Sequence, residues 1–216
     1  QQATYTDSDF DDLPVTPLCD AAGQEIMVEI EFPGRMIHAK VWEVCAGHVR
    51  LILLDTWLAQ NSEHDREITH RLYGGDKTTR IEQEILLGVG GVRALAALGL
   101  KPTVWHVNEG HAVFTTDTPV PAGHDHFSEE MIRHYFSHWC HGLGVPCEQL
   151  LAFGAEPGKS EFNMTALALR GSRHHNGVSR IHGDVSADIC RYLWPQIDPE
   201  ENPMDYVTNG VHLPTF

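Results

Sequence analysis

The chain has 216 residues, 42% of them hydrophobic, enough to bury a core the size of one large domain or two small ones. Acidic residues outnumber basic ones by 30 to 15, giving a formal charge of −15 with no basic run to offset it, so nucleic acid is excluded as the expected partner. Five cysteines, at 19, 45, 140, 147 and 190, are odd in number and lack CxxC spacing, and no apolar run reaches membrane-spanning length. With no basic-then-apolar amino terminus either, the expectation is one compact, cytoplasmic unit without a disulfide framework and without a membrane partner.

In chain order, residues 1–14 are polar and acidic without periodicity, a loose lead-in. Ile26, Val28, Ile30 and Phe32 alternate with Glu29 and Glu31, the pattern of a half-exposed strand. Pro33-Gly34 supplies a turn and residues 37–44 the return strand of a hairpin. Residues 49–54 are apolar except for Arg50 and read as a strand buried on both faces, ending at Asp55. Asn61-Ser62 ahead of Glu63, Asp65 and Glu67 predicts a short capped helix to about Leu72, broken by Gly74-Gly75. Between Lys77 and Leu98, Ile81, Ile85, Val89, Val92 and Leu95 recur at three or four residues, a helix stopped by Gly99, with Glu82 and Glu84 on its solvated face. Gly88, Gly90 and Gly91 lower that helix's stability and point to close packing against another backbone. Because GVGG lies inside a helical pattern without the GxGxxG order, it is not a phosphate loop.

Residues 103–107 predict a short buried strand that delivers Asn108, Glu109 and His111 to its carboxyl end, where open α/β sheets bind ligands. Alternatively, Asn108 caps a following helix with Glu109 in its first turn. Pro119 and Pro121 enforce an extended loop, Gly123 allows a turn, and a helix follows over residues 128–143. Residues 150–153 are too short to assign. Glu161-Phe162-Asn163 leads into a helix over 164–170, and the stretch GSRHHNGVSRIHGDVS reads as a site-forming loop before a helix at about 185–193. Residues 207–210 read as a closing turn. His134, His138 and His141 fall at spacings of four and three and could share one helical face for zinc, but HExxH is absent and fifteen histidines produce such spacings easily. Arg173, His174, Arg180 and His182 either form a small positive site or satisfy Asp184 and Asp188.

Five ordered stretches, RLYGGDKTTRIEQEILLGVGGVRAL, PTVWHVNEGHAVF, TPVPAGHDHF, FNMTALALRGSRHHNGVSRIHGDVS and VTNGVHLPTF, resemble the α-glucan phosphorylases, especially their shorter bacterial and archaeal type. The resemblance implies an α/β fold: part of one Rossmann-like lobe of a two-lobe, GT-B type glycosyltransferase, with a β-hairpin region at its amino-terminal end. It implies transfer of glucose from the end of an α-1,4-glucan to inorganic phosphate, with pyridoxal phosphate as cofactor. Residues 1–216 correspond to the later part of the N-terminal lobe. The cofactor lobe with its Schiff-base lysine has no counterpart, so the chain alone is expected to be inactive. By the same resemblance Asn209 matches an asparagine that hydrogen-bonds the sugar, while Glu109 and His111 match positions lining the polar pocket beside it.

Three departures from the family pattern stand out. Asp117 occupies the place of a sugar-contacting histidine and adds a carboxylate that repels incoming phosphate. His175 replaces a small apolar residue, commonly valine, at the edge of the sugar pocket and is expected to crowd it. Phe114 runs directly into Thr115 where relatives place a helical stretch, so a helix and the start of a strand are expected to be missing and the layer there rearranged or under-packed. A non-catalytic carbohydrate-binding or interaction protein derived from this fold, and a metal-dependent hydrolase using the histidine helix, are the alternatives.

Overall fold

Alternation of apolar and acidic residues makes β2 (Met27–Phe32) a strand with one buried face, after a two-residue strand β1 (Thr16–Pro17). A turn at Pro33-Gly34 returns the chain through β3 (Arg35–Ala46), which pairs antiparallel with β2 from Met27↔Lys40 to Phe32↔Arg35. β4 (Val49–Asp55) pairs with the far half of β3, so β1, β2 and β4 all join β3 in one open sheet. Ile26, Val28, Ile30 and Phe32, with Ile37, Ala39 and Val41 opposite them, form its buried face.

These observations come from a computed structural model that describes residues 12–71, 75–108, 113–116, 120 and 123–210; most of the lead-in lies outside them. The expected two-sided burial of β4 is corrected. Val49, Leu51 and Leu53 are 59%, 45% and 44% exposed, because β4 is an edge strand whose other face alone meets the core. Asp55 ends the strand as read, accepting hydrogen bonds from Trp42 Nε1 and Trp57 N.

Ser62 caps the short helix α1 (Glu63–Arg66), which passes at once into a 3₁₀ turn. Asn61 is the buried clamp rather than the cap. It accepts from His38 N at 2.9 Å and donates to His38 O and Thr56 O. The long helix is three pieces: α2 (Lys77–Ile85), capped by Asp76; one π-helical turn over Leu86–Gly90; and α3 (Gly91–Ala97). The π turn shifts the apolar stripe, so Ile81, Ile85, Leu86 and Ala94 are buried while Val92 is exposed. Of the three glycines only Gly90 packs tightly, and against side chains: a Cβ there would lie 3.1 Å from Leu54 and 3.3 Å from Ile30.

Glu82 is not solvated. It is 1% exposed and takes Arg35 NH2 at 2.6 Å, while Arg35 Nε reaches buried Asp65 at 2.9 Å. Burial works against the guanidinium charge, but the hydrogen bonds from Glu82 and Asp65 outweigh it and hold the Arg35 pKa above its ordinary value. Glu84 is partly covered and pairs with Arg80 one turn away.

From Gly99 onward a second set of elements begins, and the chain divides into two compact units, Gln1–Lys101 and Pro102–Phe216, where a single one was expected. The physical reason is that each described strand pairs only within its own half. The second unit contains β5 (His106–Asn108), β6 (Val113–Thr116), β7 (His126–Ser128), α4 (Glu129–Leu143), α5 (Cys147–Gly154), β8 (Glu161–Asn163), α6 (Met164–Gly171), β9 (His174–Gly177), α7 (Arg180–Ile189) and β10 (Met204–Tyr206). β5, β6, β9 and β10 form a parallel sheet in the order β10-β9-β6-β5, and β7 and β8 form a separate antiparallel ribbon. The fold is thus mixed α/β with open sheets.

Several expectations shift here. The strand expected over 103–107 starts at His106, and Thr103 to Trp105 are exposed. β6 runs unbroken across the Phe114–Thr115 junction, so the start of that strand is present. The supposed loop around His174 contains β9, and its helix begins at Arg180.

Candidate functional site

The parallel sheet fixes the direction in which its strands deliver residues, and their carboxyl ends lie at Asn108, Thr116, Gly177 and Tyr206 on one edge. That edge is where ligands bind in open α/β sheets. A polar ladder crosses three of the strands just below it. His106 Nε2 lies 2.7 Å from Thr115 Oγ1, and Thr115 Oγ1 donates to Asn176 Oδ1 at 3.0 Å. With its proton committed to Asn176, the hydroxyl accepts from the imidazole, which makes Nε2 the protonated nitrogen of His106. Thr115 and Asn176 are buried in a layer where parallel sheets are ordinarily apolar. Sequence reading missed this trio. Polar residues inside short strand patterns, HVN, FTT and HHN, were the available signal.

Two glycines let α7 approach the sheet, Gly177 at β9 and Gly183 at β10. A Cβ on Gly177 would sit 2.7 Å from Gly183 N and from His182 Nδ1, and one on Gly183 would sit 3.1 Å from Asp205 O. Ser179 caps α7 by accepting from His182 N at 3.2 Å. His182 is buried, its Nδ1 accepting from Val178 N at 3.3 Å, so Nε2 carries the proton and finds no partner among the described residues. His182 is therefore a packed histidine of the β9–α7 seam and not part of an exposed positive site.

The site residues expected from sequence are placed unequally. Asn209 lies at the carboxyl edge: after β10 the chain continues extended, Val207 N donating to Gly177 O at 2.9 Å and Asn209 N to Val178 O at 3.1 Å. Those two bonds are why residues 207–210 do not form the expected turn. His175 is buried on the strand face opposite Asn176, where Nε2 bonds Leu169 O at 2.8 Å and the ring tilts against Trp194 at 5.4 Å. Its neighbours there are Leu169 and Trp194 rather than an open pocket edge. Glu109, His111 and Asp117 lie outside the described residues; the positions directly before Glu109 and Asp117, Asn108 and Thr116, end adjacent strands at the same edge.

A second polar cluster surrounds Glu156. Glu156 takes Lys159 at 2.6 Å, Asn163 Nδ2 at 3.1 Å and His126 at 3.5 Å, and Asn163 caps α6, the helix that feeds β9. Burial raises the Glu156 carboxyl, but the bonds from Lys159 and Asn163 prevail and hold it below its ordinary range. His124 is buried and held below the ordinary histidine range, chiefly by desolvation and then by His126. His134 packs edge-on against Tyr135 and His138 tilts against Trp139, and among the described residues no three His, Cys, Asp or Glu side chains group to hold a metal.

No family model matches the chain. Glycogen phosphorylase of Mycobacterium tuberculosis is 39% identical over 259 residues, covering 100% of this chain and 30% of that protein. The chain is similar to α-glucan phosphorylases along its whole length. Maltodextrin phosphorylase of Thermococcus litoralis is 37% identical over 95% of the chain and 28% of its own length, and glycogen phosphorylase of Aquifex aeolicus is 32% identical over 94% and 34%. The chain therefore spans about 30% of the length of these phosphorylase relatives. The mycobacterial match runs over 259 residues against the 216 of this chain, so the relative carries residues within the matched region that have no counterpart here.

The family's cofactor can be tested against the residues present. Lys40 belongs to β3 and Lys77 to α2, Lys101 precedes Pro102, and Lys159 is bound to Glu156. Within the unit that holds the parallel sheet the sequence has only Lys159, which lies outside the strands and is bound to Glu156, so it does not fit a Schiff base to pyridoxal phosphate there.

Proposed function

We propose that this chain supplies the sugar-facing sheet edge of an α-1,4-glucan phosphorylase, the glycosyltransferase that uses inorganic phosphate to release glucose 1-phosphate from glucan ends. The observation that carries this reading is the 37–39% identity to glycogen and maltodextrin phosphorylases along essentially the whole chain. The sheet agrees with it, because the Asn209 backbone is hydrogen-bonded at the carboxyl edge beside the Asn176–Thr115–His106 ladder. Neutral amides, hydroxyls and a carboxylate suit sugar hydroxyls, each bond contributing about 1 kcal/mol but becoming selective when several converge. In this reading Asn209, Glu109 and His111 contact the sugar, Asp117 disfavours phosphate nearby, and His175 affects the pocket through its packing on Trp194.

Residues 1–216 act as a partial N-terminal lobe, with pyridoxal phosphate held by a lysine outside this chain, in a cytoplasmic enzyme. The phosphorylase match favours this reading over a stand-alone carbohydrate-binding or interaction protein. The test is glucose 1-phosphate formation from maltoheptaose and phosphate. The chain alone is expected to give none. A mycobacterial glycogen phosphorylase whose matching region is replaced by this sequence, with the relative's additional residues restored, is expected to turn over, and Asp117→His in that chimera to raise kcat/KM for phosphate. Turnover by the 216-residue chain by itself would sink the proposal.

A further inference from the structure

The turn between α4 and α5 brings two thiols together. Cys140 lies near the end of α4 and Cys147 is the first residue of α5, joined through Gly144 in the left-handed region at φ 65°. Cys147 Sγ lies 3.9 Å from Ser137 Oγ. Ser137 and Cys140 stand three residues apart on one helix and so share a face, which directs Cys147 toward the side of α4 that carries Cys140. Arg133 NH1 on the same helix holds Glu148 at 2.9 Å and locks the next residue of α5 to α4. Arg133, Ser137 and Cys140 follow one another at spacings of four and three on one face of α4, and the α5 residues this face meets are Cys147 and Glu148. All five cysteines are free; Cys140 is buried and Cys147 half-buried.

We propose that Cys140 and Cys147 form a peroxide-responsive thiol pair that closes to an intramolecular disulfide. The two sulfurs play different parts. Burial, with the neighbouring Cys147, pushes the Cys140 thiol up to about 11, so it stays protonated and is a poor first nucleophile. Cys147, nearer solvent, attacks a hydroperoxide as thiolate: the O–O bond breaks, sulfenic acid forms, and the departing oxygen leaves as water after protonation. Cys140 then attacks the Cys147 sulfur, its thiol proton and the sulfenic hydroxyl leaving as a second water. The net change is two thiols and one hydrogen peroxide to one disulfide and two waters. Closure requires the two sulfurs to approach to about 2 Å, and Cys147 is the half-buried side chain at a helix start that moves to meet Cys140. Arg170 of α6 binds the carbonyls of Ala152, Phe153 and Ala155 at the far end of α5, and α6 leads through Ser172 into β9. The pair thus sits at the opposite end of a helix tied to the element that feeds the central strand of the sheet.

Both cysteines fall in one tryptic peptide, residues 134–159, bounded by Arg133 and Lys159. The reduced 216-residue chain is titrated with hydrogen peroxide, and thiols and peptide masses are read. The expected result is loss of two of the five thiols, a 134–159 peptide lighter by two hydrogen atoms, and full reversal by dithiothreitol. Cys140→Ala is expected to leave a dimedone-reactive sulfenic acid on Cys147. If Cys140→Ala fails to fold, the mass of the wild-type peptide decides alone. The proposal is overturned if that peptide keeps both thiols while exposed Cys19 and Cys45 oxidise, or if Cys147 of the wild type passes to sulfinic acid without forming the disulfide.

Discussion

In the N-terminal unit β1, β2 and β4 meet β3 antiparallel, and a tight turn joins β2 to β3 and β3 to β4. In the C-terminal unit four parallel strands depend on connections that must carry the chain back across the sheet. The β9–β10 connection contains α7, as parallel pairing ordinarily requires, whereas β5 and β6 pair in parallel with only residues 109–112 between them. The mycobacterial relative has additional residues inside the matched region, as a missing crossover there would require. The contrast teaches that the hairpin unit is built from local turns and a buried charge cluster, while the sheet that presents the candidate site depends on parallel pairings, one of them between strands only four residues apart in sequence.

The largest way to break that comparison is Arg35→Ala. It leaves Asp65 and Glu82 buried without their cation, which costs roughly 3 kcal/mol, the low end for a broken buried pair because Arg35 is one-third exposed. Hydrogen exchange is expected to quicken throughout β2, β3 and α2 and to leave α4 to α7 unchanged; equal loss in both units would show that they unfold together. Arg35→Lys keeps the charge but loses the fork, and is expected to fall between the two. Gly177→Ala is the counterpart in the C-terminal unit. Its Cβ would sit 2.7 Å from Gly183 N, backbone that cannot swing away, at a cost of about 2 kcal/mol in thermal or denaturant unfolding. Unchanged stability would show that α7 is not seated on β9.

What was legible in the sequence follows the same divide. Period-two alternation exposed β2, and the Pro33-Gly34 turn exposed its return strand β3, because those signals are local. Glu82 was misread because the partner that buries it, Arg35, lies 47 residues away. β4 was misread because an apolar run does not show whether one face or two will be covered. β9 was hidden because His174, His175 and Asn176 look like loop residues until parallel neighbours supply their hydrogen bonds. Residues 207–210 were read as a turn because two backbone bonds that keep the chain extended along the sheet edge come from distant residues. Those bonds join residues about thirty apart, beyond the reach of any local pattern.

The smallest effect separates the units by acid. Buried His124 has a pKa below the ordinary 6.5, mainly through desolvation, so the unfolded chain binds its proton at a higher pH than the folded one. Stability from this group is intact above about pH 6.5, the unfolded value, and declines as pH falls from there to the folded pKa. Glu156 follows lower down. Its pKa is depressed below 4.5 by Lys159 and Asn163 despite burial, so its contribution holds above 4.5 and is lost as pH falls through the folded value. The ribbon and helices around β7, β8 and α6 are therefore expected to lose protection first as pH is lowered from 7.5 to 5.5, read by hydrogen exchange corrected for its intrinsic pH dependence. His124→Asn is expected to flatten that decline. If it leaves the slope unchanged, another group governs the acid response and His124 is simply packed.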